Sequence, residues 1–159
     1  MKKIIQLLSV CLLSLAAVSC NSSLPPVFQI RLVVDAPSGE SEDMVVVDKT
    51  RAADQKETLH VLKTVLIDQT AVESAKVTKD KQFGDPQIEI RFTKDGKQRV
   101  AEVTRARVGK RLAFVIDGQL YSAPKVYEEI TSGTARIGGS FSEQEAEELA
   151  GRITDSLKK

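Results

Sequence analysis

The residues able to do chemistry in this 159-residue chain are few and dispersed. His60 is the single imidazole, with apolar Leu59 beside it and no serine or cysteine nucleophile motif nearby. Triad partners meet in space rather than in sequence; the local context nonetheless reads His60 as a strand or surface residue. Cys11, Cys20 and His60 together fall short of the roughly four Cys and His ligands of a zinc cluster. The carboxylates form no Gly-framed or strand-end pair of the kind used in glycosidase-type acid–base work. Gly138-Gly139 lacks the lysine and the spacing of a phosphate loop and suits a tight turn instead. The expectation is a non-enzymatic protein with no catalytic residue, metal, cofactor or small-molecule substrate.

One charge cluster stands out. Lys94, Lys97, Arg99, Arg105, Arg107, Lys110 and Arg111 face only Asp95 and Glu102, an excess of +5 over 18 residues. As a contact patch it would suit anionic lipid headgroups or acidic peptide segments; the plainer reading is a solvated helix face. The whole chain carries 23 Lys+Arg against 22 Asp+Glu, so its balance gives no reason to expect a polyanion. Aromatics are 4% with no Trp, which disfavours base stacking and nucleic acid as a partner.

The apolar residues are unevenly spread, with 13 of them in the first 19 positions. Lys2 and Lys3 precede an apolar run over 4–18, too short to span a bilayer comfortably, since that takes roughly 20 residues. It fits the apolar region of an export signal. The run ends in Leu15-Ala16-Ala17-Val18-Ser19-Cys20, which resembles the lipobox of bacterial lipoproteins. That resemblance implies cleavage before Cys20 and lipidation of its thiol and new amine, the double acylation that makes attachment stable. A plain secretory signal and an anchoring helix are the other readings of the same run. The expected organisation is a signal peptide over 1–19, lipidated Cys20 with a polar tether to residue 26, and one domain over 27–159. With Cys11 removed and Cys20 lipidated, the domain has no disulfide and must rest on a packed core. Asn21 after the lipid Cys is not the inner-membrane retention Asp, which favours the outer membrane in a two-membrane envelope.

These residues need elements to position them. From Val27, Phe28, Ile30, Leu32 and Val34 alternate with Gln29 and Arg31, a half-buried strand. A polar loop over 35–43 precedes a short strand over 44–47, a polar excursion over 48–58 and a β-rich run over 59–67. Thr70 and Glu73 read as a capping box opening a short helix. Asp85-Pro86 marks a turn into a strand over 87–92, with Ile88, Ile90 and Phe92 inward and Gln87, Glu89 and Arg91 toward water. A helix over 94–108 puts Val100, Val103, Thr104 and Val108 on one side, with Gly109 at its C′ position. The strand over 112–116 is apolar on both faces, Asp117-Gly118 is a strong hairpin signal, and 119–122 is the return strand. A strand over 134–137 leads to Ser142 and Glu145, a second capping box. Its helix lines up Ala146, Leu149, Ala150, Ile153 and Leu157. The sum is α+β: a mixed or antiparallel sheet of about six strands with two main helices.

Residues 109–124, GKRLAFVIDGQLYSAP, and residues 138–150, GGSFSEQEAEELA, with ITSG over 130–133 between them, carry a family resemblance. They resemble linked motifs in the head subdomain of the first periplasmic domain of SecD, a membrane subunit of the bacterial protein-export machinery. The match in order and spacing runs over roughly 85–153, and 59–77 fits more loosely. The resemblance implies an α+β domain outside the cytoplasmic membrane that contacts emerging preproteins. The matched residues read as scaffold: Gly109 at a helix end, Asp117 and Gly118 in a turn, Pro124 closing a strand, Ser142 as a cap. SecD also has several membrane-spanning helices that couple export to the proton gradient. The chain carries no further apolar span after the signal-like run. The expectation is therefore a detached head domain on a lipid tether, not a proton-driven motor. Its expected partners are the membrane, through the lipid, and unfolded polypeptide or envelope and export proteins. The alternative is a structural or envelope-stress lipoprotein that reuses the fold for an unrelated envelope partner.

Overall fold

The computed structural model describes residues 27–47 and 56–158. The signal-like start, Cys20, the 20–26 tether and most of the 48–58 excursion lie outside the described residues. Eight strands and two helices follow in order: β1 (Phe28–Val34), β2 (Ser41–Val45), β3 (Thr58–Asp68), β4 (Val72–Lys79), β5 (Pro86–Phe92), α1 (Lys94–Arg105), β6 (Leu112–Ile116), β7 (Gln119–Ser122), β8 (Thr134–Ile137) and α2 (Glu143–Ser156). They form a five-stranded sheet in the order β2-β3-β1-β6-β7 and a three-stranded sheet in the order β4-β5-β8. Every strand pair is antiparallel, so the α+β expectation holds and the sheets are purely antiparallel.

The five-stranded sheet curls on itself. Two register shifts against β1 mark bulges that increase local twist and bend. The curl brings the two outer strands together: Val47 N–H donates to Leu120 O at 2.7 Å, and Val46 and Leu120 form an isolated parallel bridge. Inside the curl Val61, Ala113, Val115, Leu120 and Ala123 form a small core. A larger core lies between the two sheets and the helices, and includes Phe28, Ile67, Ile88, Ile90, Phe114, Ile116, Leu149 and Ile153. Strand β6 serves both cores. Leu112, Phe114 and Ile116 enter the larger one while Ala113 and Val115 enter the smaller, and all five residues are buried. The two-faced apolarity of 112–116 therefore means a strand with a core on each side.

The helices seat as the apolar spacing requires. Thr93 caps α1 through a bond from Gly96 N–H, and Val100 and Thr104 are buried on its inner face. Buried Thr104 accepts from Ile130 N–H at 2.9 Å, which fastens the 123–133 connection to the helix. Ser142 caps α2 by accepting from Glu145 N–H, and Ala146, Leu149, Ala150 and Ile153 are buried against the sheets.

Several sequence expectations are corrected. The short helix expected at Thr70 is a 3-10 turn over Gln69–Ala71, capped by Asp68, and Val72 already begins β4. Strand β4 is the one the sequence did not show, and the eight strands divide between two sheets in place of the single sheet of about six expected. Helix α1 ends at Arg105, three residues early, so Val108 is exposed and Gly109 lies beyond the cap at Ala106. Strand β2 begins at Ser41, inside the expected polar loop, and ends at Val45. Gln29 is 2% exposed rather than solvent-facing, because the curl covers the second face of β1.

Candidate interaction surfaces

The matched motifs build scaffold from local turn chemistry. Asp117 and Gly118 both take positive φ, 49° and 76°, as a tight two-residue hairpin between β6 and β7 demands. Asp117 is held from both sides: its N–H donates to Val27 O at 2.8 Å, and Arg152 of α2 donates to its carboxylate at 2.9 Å. Downstream, Gly109 N–H donates to Val126 O, Val126 N–H to Lys110 O, and Leu112 N–H to Pro124 O. The start of the first motif is thus paired with the stretch from Pro124 to Val126 at and just beyond its exit.

The seven basic residues are divided among several tasks. Arg111 clamps three segments, donating to Glu57 Oε1 at 2.6 Å and to Ala123 O at 2.8 Å from the start of β6. Lys110 lies 3.7 Å from Asp35, and Arg105 lies 4.0 Å from Glu129. Arg107 turns back to Val103 O at 3.3 Å, and Arg99 reaches Leu66 O at 3.4 Å. The stem of Lys97 lies over Gly133, and Lys94 is exposed in the first turn of α1. Carboxylates from outside the window answer more than half of its +5 excess.

His60 on β3 stands opposite Asp43 on β2, with Nδ1 2.6 Å from Asp43 Oδ1. No hydroxyl or thiol completes a triad with this pair among the described residues. No group of His, Cys, Asp and Glu that could hold a metal occurs there either.

Three surface features escaped sequence reasoning. The first is a charge cradle on the open face of the three-stranded sheet. Glu89 of β5, 12% exposed, receives Lys76 of β4 at 3.3 Å and Arg136 of β8 at 3.2 Å. Burial opposes its ionisation, but the two cations outweigh that and hold its pKa below the usual carboxylate value. Cross-strand register creates this triad, so its members are far apart in sequence. The second is the β4–β5 hairpin. Asp80 accepts from Phe83 N–H and Gln82 N–H, which lowers its pKa and fixes the turn. The fixed turn presents Phe83, 73% exposed, at its tip. Tyr127, 81% exposed, is a second aromatic turned to solvent, on the connection anchored by Thr104. The third is the outer edge of β2, beside a groove of about 380 Å³ lined by Glu42, Asp43, Val45, Gly118 and Gln119 among others.

These elements define a two-sheet, antiparallel α+β domain whose motif residues are scaffold and whose distinctive features are surfaces. The chain belongs to the family of the SecDF P1 head subdomain, whose model matches residues 44–156. The protein translocase subunit SecDF of Thermus thermophilus is 49% identical over 69 residues, 43% of this chain and 9% of that protein. SecD of Acidaminococcus fermentans is 31% identical over 122 residues, 70% of this chain and 29% of that protein. The chain thus spans less than a third of the length of these translocase subunits. Among solved structures, SecDF in its super-membrane-facing form superposes with a TM-score of 0.64 at 28% identity, covering 80% of this chain and 18% of that one. A structure of SecDF, a membrane component that enhances protein export, gives 0.60 at 27% identity, covering 80% and 61%. No helix among the described residues is long and apolar enough to cross a membrane.

Proposed function

We propose that this chain is a lipid-anchored, extracytoplasmic binding module of the SecD-head type that contacts polypeptides during or after export. The observation that carries the reading is the family match over 44–156, on a fold where the matched motif residues act as scaffold. The proteins it resembles are translocase subunits, and one is a membrane component that enhances protein export. The exposed aromatics Phe83 and Tyr127, each on a fixed connection, offer the apolar contact a protein partner needs. The lipobox-like run ending at Cys20 supports the anchor, with a signal over 1–19, a tether over 20–26 and the domain from 27 onward. The working compartment in this reading is the cell envelope outside the cytoplasmic membrane.

The test is crosslinking in intact cells followed by identification of the captured proteins. Unfolded envelope proteins and export components among the captured set support the reading. Deleting the gene gives the opposing outcome a definite form. An envelope defect with normal export kinetics, and no captured preprotein, assigns the fold to another envelope partner and overturns the polypeptide-contact reading. Replacing Cys20 by Ala tests the anchor separately: the protein should leave the membrane fraction, and retention there would overturn lipidation at Cys20.

A further inference from the structure

Four strands lie at sheet edges, and their outer backbone groups have different fates. On β4, Ala75 O accepts from Thr154 of α2 at 3.2 Å, so the helix guards that edge. On β8, Ser132 Oγ contacts both the N–H and the C=O of Thr134. On β7, Leu120 O accepts from Val47 N–H.

Strand β2 differs. Its register with β3 is unbroken from Ser41 to Val45. The bonds just beyond each end, Lys63 N–H to Glu40 O and Val46 N–H to Glu57 O, fix which residues face β3. Even-numbered residues turn their backbone groups toward β3, and odd-numbered residues turn them outward. Ser41 N–H is bonded back to Ser38 O, and Val47 N–H to Leu120 O. Between them the N–H and C=O of Asp43 and the N–H of Val45 point outward with no ladder partner among the described residues, while Val45 C=O faces Leu120 N–H in the parallel bridge of Val46 with Leu120.

Strand direction adds a second constraint. Five antiparallel strands leave β2 and β7 running the same way, and among the described residues the curled sheet meets itself through the isolated parallel bridge at Val46 and Leu120. Upstream of that bridge the edge has no further strand pairing among the described residues. A strand laid along it in the opposite direction to β2 would make antiparallel bonds with the N–H and C=O of Asp43 and the N–H of Val45 and lie in the groove bounded by Gly118 and Gln119.

We propose that the outer edge of β2 is the polypeptide-docking site, taking an extended segment in antiparallel pairing through the N–H and C=O of Asp43 and the N–H of Val45, with basic side chains preferred. This rests on the binding-module reading above and names where and how the polypeptide is held. Backbone pairing supplies affinity without regard to sequence, and side chains set the preference. The preference for cations follows from the edge itself, where Glu40, Glu42 and Asp43 are consecutive but for Ser41. Arg31 answers Glu42, and His60 contacts Asp43. A second copy of this chain is the poorer occupant. A second copy's β2 would bring its own Glu40, Glu42 and Asp43 alongside these carboxylates, and like charges brought close across paired strands are destabilising.

The experiment uses the full chain in detergent and a short fluorescent peptide of alternating lysine and valine, followed by anisotropy and amide hydrogen exchange. Peptide binding should slow exchange at Asp43 and Val45. Val45→Pro removes one outward N–H and leaves the β3 ladder and every charge intact, because proline is tolerated at such edge positions. It should weaken the peptide about tenfold or more. Asp43→Lys should reverse the preference toward a glutamate–valine peptide. Circular dichroism melting reports whether each variant folds. If Val45→Pro folds and binds with unchanged affinity, the edge proposal fails while the binding-module reading survives. If the parent chain binds neither this peptide nor unfolded envelope protein, the binding-module reading itself fails. A concentration-dependent dimer abolished by Val45→Pro would assign the edge to self-association and overturn the proposal.

Discussion

At Gly96 a single methyl group decides whether α1 can seat. A Cβ built there would lie 2.1 Å from Ala71 O, a backbone atom that also accepts from Thr93 N–H. No side-chain rotation relieves that contact. In an exposed helix interior, Gly→Ala would add roughly 1 kcal/mol of stability through propensity. Here the clash outweighs it, and Gly96→Ala should destabilise by about 1–3 kcal/mol, the usual range for overpacking. Urea unfolding followed by circular dichroism checks this. A variant as stable as the parent would show that α1 does not rest on the 3-10 turn as described. Arg111 makes the same point about charge. Its sequence context reads as part of a basic patch, yet its guanidinium joins Glu57 and Ala123 O. A charge run in sequence records which side chains are cationic and not which carboxylates come to meet them.

At the scale of elements, the three-stranded sheet and its β4–β5 hairpin carry two of the three carboxylates held below their ordinary pKa among the described residues, the third being Asp155 of α2 beside Lys158. Glu89 and Asp80 both have folded pKa values below their ordinary 4.5 and 3.8. A carboxylate that is more acidic folded than unfolded contributes stability fully present above its unfolded pKa. That contribution is lost as pH falls through the folded value. On account of these two groups, unfolding midpoints should therefore not vary with pH near neutrality and should decline from about pH 5 downward. Glu89→Gln should cost about 1 kcal/mol at pH 7, since both its cations are largely exposed, and should flatten the acid decline. An unchanged acid limb would remove Glu89 from the account. The same sheet shows what the sequence carried and what it hid. Ile88, Ile90 and Phe92 alternate strictly, and β5 follows from that spacing alone. Thr70 and Glu73 have the residues of a capping box, but Asp68 accepts from Thr70 N–H, and pairing with β5 draws Val72 onward into β4. A local signal lost to a tertiary one. The Asp117-Gly118 hairpin and the Ser142 cap were legible because a few neighbouring residues determine them. The Glu89 cradle and the open β2 edge were not, because both arise from register between strands distant in sequence.

At the scale of the whole molecule, the two cores share one strand, and that arrangement sets how the protein unfolds. The small core inside the curl has few buried residues and would be marginal alone. Its stability depends on β6, whose opposite face is fixed in the larger core by Phe114 and Ile116. Phe114 also packs against Phe28 of β1 at 6.4 Å between ring centroids, so both central strands of the curl are held from outside it. Unfolding should then be a single cooperative transition across both sheets. Leu120→Ala empties part of the small core and should cost about 2–5 kcal/mol, while Phe114→Ala in the larger core should cost about 3–5 kcal/mol. In each variant, exchange of the slowest amides in β5 and β6 should accelerate by the same factor, because one global opening governs both. If Leu120→Ala speeds exchange only in β2, β3 and β7 and leaves β5 and α2 untouched, the curled sheet opens independently. The shared strand would then be a hinge between two folding units rather than the joint that unites them.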